Sequence, residues 1–109
     1  MSISHALSGE AIDVLPYGNS LPEQRTVALF KSDQLEVMRL VLAAGKTQPT
    51  HRVAGELTVQ CLEGEIEVEA YGDRTLLRAG QLLFLHGDVP HSMHARTPAS
   101  ALVSMVLCK

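Results

Sequence analysis

The chain has 109 residues, of which 46% are hydrophobic, and its formal net charge is -3. This length predicts one globular domain with a modest core. The sequence contains neither a cluster of Lys and Arg nor an apolar run long enough to span a bilayer, so we expect no nucleic-acid or membrane partner. The N-terminal segment lacks the basic start and apolar stretch of a signal peptide, which predicts a cytoplasmic location.

The first part of the chain is predicted to be an arm. Residues 1–25 mix short apolar pieces with glycine and proline, a composition typical of irregular structure. A short strand at residues 12–15, an extended segment that packs on a second subunit, and a loose terminus are the alternatives. Residues 26–109 are predicted to form the folded barrel.

From residue 26 onward the chain reads as short strands separated by turn residues. About eight runs rich in β-branched and apolar residues are predicted as strands, at residues 26–31, 35–42, 57–62, 65–71, 74–78, 81–86, 91–96 and 101–108. In the run from residue 65, Ile66 and Val68 alternate with glutamates, which predicts one inner and one solvated face. No run has a helical period, so we predict an all-β fold closed as a double-sheet jelly roll. The last run is apolar apart from Ser104, as expected of a central strand.

The two cysteines are interpreted as free thiols. Cys61 and Cys108 each lie in an apolar strand-like run, where buried free cysteines are common. A disulfide between them is compatible with the sequence but not implied by it.

Two histidines occupy similar places in the pattern. His51 and His91 each lie at the entrance of a predicted strand shortly after a proline, so both could lie at the mouth of a barrel. His51 ends the polar, proline-containing segment 47–51, which is predicted as a loop before the run at 57–62, and His91 begins the run at 91–96. Imidazole is a common ligand of Fe, Zn, Cu and Ni, and a carboxylate often completes such a site. Glu56 is the carboxylate nearest to His51 in sequence, and His86 lies shortly before His91.

The spacing of glycines and histidines resembles that of the cupins. The first cupin motif runs from a glycine through His-x-His and a glutamate to a second glycine, and Gly45, His51 and Gly64 fall at its places. The second motif begins with a glycine and reaches a histidine after a Pro-x-Gly turn, and Gly80 and His91 match it. The resemblance implies a double-stranded β-helix barrel, a homodimer, and a divalent metal (Fe, Zn, Mn or Ni) held by three histidines and a glutamate.

The chain departs from that pattern at the remaining ligand positions. Val53 stands where the second histidine is expected, and Leu57 stands at the glutamate position, one residue after Glu56. A one-residue offset on a regular strand would turn Glu56 away from the interior, unless a bulge near Gly55 restores it. Either His51, Glu56 and His91 bind a metal, with His86 as a fourth ligand, or the metal site has decayed and the histidines line a pocket.

Gln60 shares its strand parity with Glu56, so the two side chains are predicted to lie on the same face. The apolar alternation of Leu57, Val59 and Cys61 fits the core better, which counts against Glu56 as a ligand. The predicted pocket comprises His51, Gln60, His86, His91 and Met93. No catalytic residue is assigned.

Two functions remain open from the sequence, beside a third, purely structural role in a larger assembly that would leave the pocket filled by side chains. The first is a metal-dependent dioxygenase or isomerase that acts on a small organic acid. The alternative is a metal-free module that binds or senses a small molecule. No nucleophile elbow, phosphate-binding loop or dinucleotide fingerprint is present to favour another activity.

Overall fold

The structure, a computed structural model, describes residues 5–108, and residues 1–4 and 109 lie outside it. The described part contains nine strands and one short 3-10 helix, Gly18–Glu23. The strands are β1 Val27–Lys31, β2 Leu35–Leu42, β3 Thr47–His51, β4 Leu57–Glu63, β5 Glu65–Ala70, β6 Asp73–Arg78, β7 Leu82–Leu85, β8 His91–Ala95 and β9 Ala99–Val106. No helix in residues 5–108 is long and apolar enough to cross a membrane.

The strands form two antiparallel sheets that face each other. One sheet has the order β1-β2-β9-β4-β7 and the other the order β3-β8-β5-β6. The predicted all-β jelly roll is confirmed, and the apolar last strand β9 lies at the centre of the larger sheet as expected.

The core lies between the sheets and is filled from alternate positions of each strand. On β5, Ile66 and Val68 are almost fully buried, as the alternation with glutamate predicts. On β4, the buried positions are Leu57, Val59 and Cys61, so the intervening side chains lie on the outer face of the sheet. Burial of these apolar surfaces is the main force that holds the two sheets together.

Three local predictions were wrong. Residues 12–15 form no strand, and the described part of the arm contains only the 3-10 helix. The segment TQPTH at residues 47–51, predicted as a loop because it is polar and contains proline, is the edge strand β3; an edge strand tolerates proline. Cys108 lies beyond the end of β9 and is exposed, whereas Cys61 is buried and free. The division at residue 25 between arm and barrel stays a prediction.

The arm packs on a buried ion pair of the larger sheet, between Arg39 on β2 and Glu63 on β4. The Arg39 Nη2 atom lies 3.2 Å from Oε2 of Glu63 and donates a second hydrogen bond to the Leu15 carbonyl oxygen at 2.7 Å. Its guanidinium carbon lies 3.7 Å from the centroid of the Tyr17 ring. Because Arg39 is only 2% exposed, this arginine is part of the packing of the arm and not a surface charge.

The Glu63 carboxylate accepts hydrogen bonds from both the arm and β9. It accepts from the Tyr17 backbone N–H at 3.0 Å, the Gly18 backbone N–H at 3.1 Å and the Ser100 hydroxyl at 2.5 Å. Burial alone would raise the pKa of Glu63, but these hydrogen bonds and the Arg39 charge outweigh it, so the pKa is lowered. The ionised carboxylate therefore favours the folded state.

We expect the Glu63→Gln variant to be less stable than the wild type at neutral pH and to approach it in acid. The contribution of the carboxylate is complete above the pKa of an unfolded glutamate, about 4.3, and is lost as the pH falls through the lower folded value. Urea unfolding at a series of pH values measures the difference. Glu69→Gln is the control, because Glu69 pairs with Arg74 at the surface. A difference that stays constant from about pH 7 to about pH 3 would contradict the assignment.

Two glycines with nearly the same backbone geometry differ in their surroundings. Gly64, between β4 and β5, has φ 79°, and Gly72, in the hairpin between β5 and β6, has φ 78°. A Cβ atom at Gly64 would lie 2.1 Å from the Pro98 carbonyl oxygen, whereas one at Gly72 would meet nothing within 4 Å.

We therefore expect Gly64→Ala and Gly72→Ala to differ sharply in cost. Both substitutions force alanine into the left-handed region, which costs about 1 kcal/mol. Only Gly64→Ala also displaces backbone, so its loss of unfolding free energy should reach at least about 3 kcal/mol. Chemical denaturation of the two variants measures both values. Equal losses would show that the contact with Pro98 does not constrain the fold.

Candidate functional site

A cavity of about 200 Å³ lies between the two sheets, and its lining comes from strands of both. Most of the wall is aliphatic or thioether, including Met38, Met93 and Met105. Methionine side chains adapt to irregular shapes. The polar residues of the lining are Gln48, His51 and His91, so an apolar chamber presents a few polar groups, as small-molecule sites commonly do.

A larger hollow of about 320 Å³ lies on the outer face of the smaller sheet, but most of its polar side chains already have partners. Arg74 Nε lies 3.0 Å from Oε2 of Glu69, and the Thr47 hydroxyl lies 2.7 Å from His94 Nδ1. This hollow matches the solvated acidic face expected from the sequence. We therefore place the candidate site in the interior cavity.

His91 is the deep polar group of the site. It begins β8, is 2% exposed, and its Nδ1 lies 3.0 Å from the Val89 carbonyl oxygen. A carbonyl oxygen can only accept, so Nδ1 carries the proton and donates. In the neutral ring Nε2 is then the unprotonated nitrogen, available as an acceptor or a ligand.

His51 lies opposite His91 on the neighbouring strand and is more exposed. The two ring centroids are 4.6 Å apart, and the planes are tilted by 53°. The His51 Nδ1 atom lies 3.3 Å from the Pro49 carbonyl oxygen, an interaction that orients the ring as the Val89 carbonyl orients His91. The sequence prediction that these two histidines approach each other agrees with this geometry.

Gln48 reaches the same cavity because β3 is irregular. Gln48 pairs with Met93 and His51 pairs with His91, so three steps along β3 match two along β8, and the register shifts between them. Such a bulge places one additional residue in the strand and reverses the alternation beyond it. Positions 48 and 51 therefore both face inward. The Oε1 atom of Gln48 is buried without a hydrogen-bond partner among the described residues.

Glu56 does not join the two histidines. Its side chain is 61% exposed, and its Oε2 lies 3.8 Å from Nδ1 of His86, which is 70% exposed. Glu56 directly precedes the inward-facing Leu57, so alternation turns it outward. Gly55 supplies no bulge; its missing side chain makes room for the Val106 carbonyl oxygen, which would lie 1.9 Å from a Cβ atom.

The other predicted pocket residues divide in the same way. Met93 lines the cavity. Gln60 alternates with the buried Val59 and Cys61 and therefore lies on the outer face of the larger sheet. His86 follows Leu85, the buried end of β7, and its ring contacts the exposed ring of Phe84 edge-on with centroids 4.9 Å apart. Neither Gln60 nor His86 contributes to the cavity wall.

Comparison with known proteins identifies a family but no curated relative. The family model described as "Cupin domain" matches residues 38–107. No curated protein matches the chain.

Solved structures share the fold at low sequence identity. A conserved protein of unknown function from Streptococcus pyogenes is 19% identical, with a TM-score of 0.75, covering 100% of this chain and 99% of that one. A cupin superfamily protein from Desulfitobacterium hafniense is 16% identical, with a TM-score of 0.74, covering 91% and 100%. A salicylate 1,2-dioxygenase from Pseudaminobacter salicylatoxidans is 26% identical, with a TM-score of 0.64, covering 66% of this chain and 21% of that one.

The donor set in the cavity falls short of a usual metal centre. All four positions that the cupin motifs give to metal ligands line the cavity, but they hold His51, Val53, Leu57 and His91, and two of these have no donor atom. Within residues 5–108 no three His, Cys, Asp or Glu side chains come together to hold a metal. Catalytic metal sites generally use three protein ligands, so the residues present do not fit the metal that the motifs imply.

We expect His91 to be in the Nδ1–H tautomer when its ring is neutral, because the Val89 carbonyl requires a donor. Long-range ¹H–¹⁵N correlation spectra at mildly alkaline pH report the protonated nitrogen directly. His94 serves as a comparison, since its Nδ1 contacts the Thr47 hydroxyl, which can donate or accept. An Nε2–H tautomer at His91 would contradict the orientation described for the site.

Proposed function

The chain belongs to the cupin family, and from that premise we propose that its barrel binds a small organic molecule without a metal. His91 and His51 hold the polar part of the molecule, and the methionine-rich wall holds its apolar part. The observation that supports this function is the interior cavity itself: it retains two oriented histidines, while the other two ligand positions are apolar.

A binding role agrees with the chemistry of the wall. Val53 and Leu57 add apolar surface at places where a metal centre would need donors, and burial of an apolar ligand against such a surface is favourable. The two imidazoles are oriented by backbone carbonyls, so their rings need little ordering when a ligand arrives. Such a pocket serves recognition or sensing of a small molecule.

A metal-dependent enzyme is the second candidate. The similarity to a salicylate 1,2-dioxygenase and the unpartnered Gln48 oxygen favour it, since an amide oxygen could supply one donor beside the two imidazoles. In this case the chain would be a dioxygenase or isomerase of a small organic acid, with Fe, Zn, Mn or Ni. The exposed position of Glu56 removes the carboxylate of the set predicted from sequence.

The predictions of a homodimer, of a cytoplasmic location, and of no nucleic-acid or membrane partner stay predictions. They bear on where the protein works and not on the chemistry of the cavity.

We expect small-molecule fragments to shift the backbone amide signals of the cavity residues in ¹H–¹⁵N spectra of the wild type. The double variant His51→Ala, His91→Ala should lose these shifts, because it removes both polar groups that orient the ligand. Elemental mass spectrometry of the same wild-type sample, after incubation with Fe(II), Zn(II), Mn(II) and Ni(II), should show far less than one equivalent of metal.

His94→Ala is the matched control, since His94 lies on the outer face of the smaller sheet and contacts Thr47. It should bind fragments as the wild type does, and circular dichroism should show that all variants are folded. About one equivalent of metal in the wild type that is lost with His51 or His91 would overturn metal-free binding and favour the enzyme.

A further inference from the structure

The polar lining of the cavity includes one hydrogen-bond acceptor that has no partner. The Gln48 side chain buries its amide oxygen without a partner, and such an oxygen only accepts hydrogen bonds. A buried acceptor without a partner is unfavourable. A ligand that donates to this oxygen would satisfy it.

When their rings are neutral, the two histidines also offer hydrogen-bond acceptors. Each Nδ1 atom lies next to a backbone carbonyl oxygen, at 3.0 Å from Val89 for His91 and at 3.3 Å from Pro49 for His51. Because those carbonyls need a donor, the neutral rings keep their protons on Nδ1. Each Nε2 atom then carries a lone pair that can accept a hydrogen bond.

No guanidinium or ammonium group lies beside these polar atoms. The remaining lining residues are Met, Leu and Val, and none is Arg or Lys. A carboxylate placed here would meet the unpartnered Gln48 oxygen and no guanidinium or ammonium group, while losing its hydration. The polar complement of this cavity is therefore a neutral hydrogen-bond donor.

The size of the cavity limits the apolar part of the ligand. A dry engineered cavity of about 150 Å³ lined by aliphatic and aromatic residues holds benzene, and this cavity measures about 200 Å³. A single ring with one small substituent fits that volume, and the three methionines can adjust to its outline.

We propose that the ligand class is a neutral, single-ring-sized molecule with a hydroxyl group, which donates to the Gln48 oxygen beside the two histidines. This inference rests on the proposed small-molecule binding, and it excludes the organic acid of the sequence prediction as the preferred ligand. Gln48 is on this view the residue that selects hydroxylated over bare apolar molecules.

Phenol, toluene and benzoate are the probes, because they share a ring and differ in the polar group. Each is titrated into the full-length protein in a buffer with a chelator, and binding is followed by ¹H–¹⁵N spectra. Phenol should bind more tightly than toluene, and benzoate should bind most weakly. In Gln48→Met, which keeps the bulk and removes the acceptor, the phenol-to-toluene affinity ratio should fall about tenfold.

Gln60→Met is the matched control, since Gln60 lies on the outer face of the same barrel, and its ratio should equal that of the wild type. If Gln48→Met is poorly folded, Gln48→Leu replaces it. The phenol-to-toluene affinity ratio of the wild type tests the inference without any variant. Toluene or benzoate binding at the cavity as tightly as phenol would overturn the inference and leave small-molecule binding intact. Stoichiometric Zn(II) binding that is lost in Gln48→Met, in chelator-free buffer, would overturn it by making the Gln48 oxygen a metal ligand. Binding of no probe at the cavity would overturn the proposed function together with this inference.

Discussion

Side chains alternate along each strand, and because the two sheets close on one interior, every position faces either the core or the outer surface. On β4 this alternation buries Leu57, Val59 and Cys61. The same rule then turns Gln60 outward, and also Glu56, which directly precedes Leu57. The strand parity of a residue therefore decides whether it contributes to the polarity of the cavity, since only inward-facing side chains can reach it.

One departure from alternation gives the cavity its third polar group. The register shift in β3 lets positions 48 and 51 face inward together, and the edge position of β3 makes the bulge and Pro49 tolerable. Without the bulge, Gln48 and His51 would lie on opposite faces, and the cavity would hold two polar side chains at most. The acceptor character of the site depends on this irregularity.

The sequence predicted the regular parts of the molecule well. Alternation in β5 and the apolar run of β9 led directly to the sheets, and the glycine and histidine spacing led to the cupin family. Gln48 was missed because a polar, proline-containing segment was taken for a loop, and a bulge has no periodic signal. Glu56 was considered because it is close to His51 in sequence, whereas the side-chain direction depends on a single residue of register.

The anchoring of the arm and the chemistry of the cavity use opposite faces of the larger sheet. Arg39 and Glu63 form their ion pair on the outer side, under the arm, while Met38 and Leu40, the neighbours of Arg39 on β2, line the cavity. Alternation on β2 turns Arg39 outward, and the register shift between Cys61 and Glu63 turns Glu63 to the same outer side. The buried charges therefore stabilise the barrel without adding charge to its interior. The lining of the cavity therefore contains no Arg, Lys, Asp or Glu side chain, and the lack of an Arg or Lys partner is what favours an uncharged ligand over an acid.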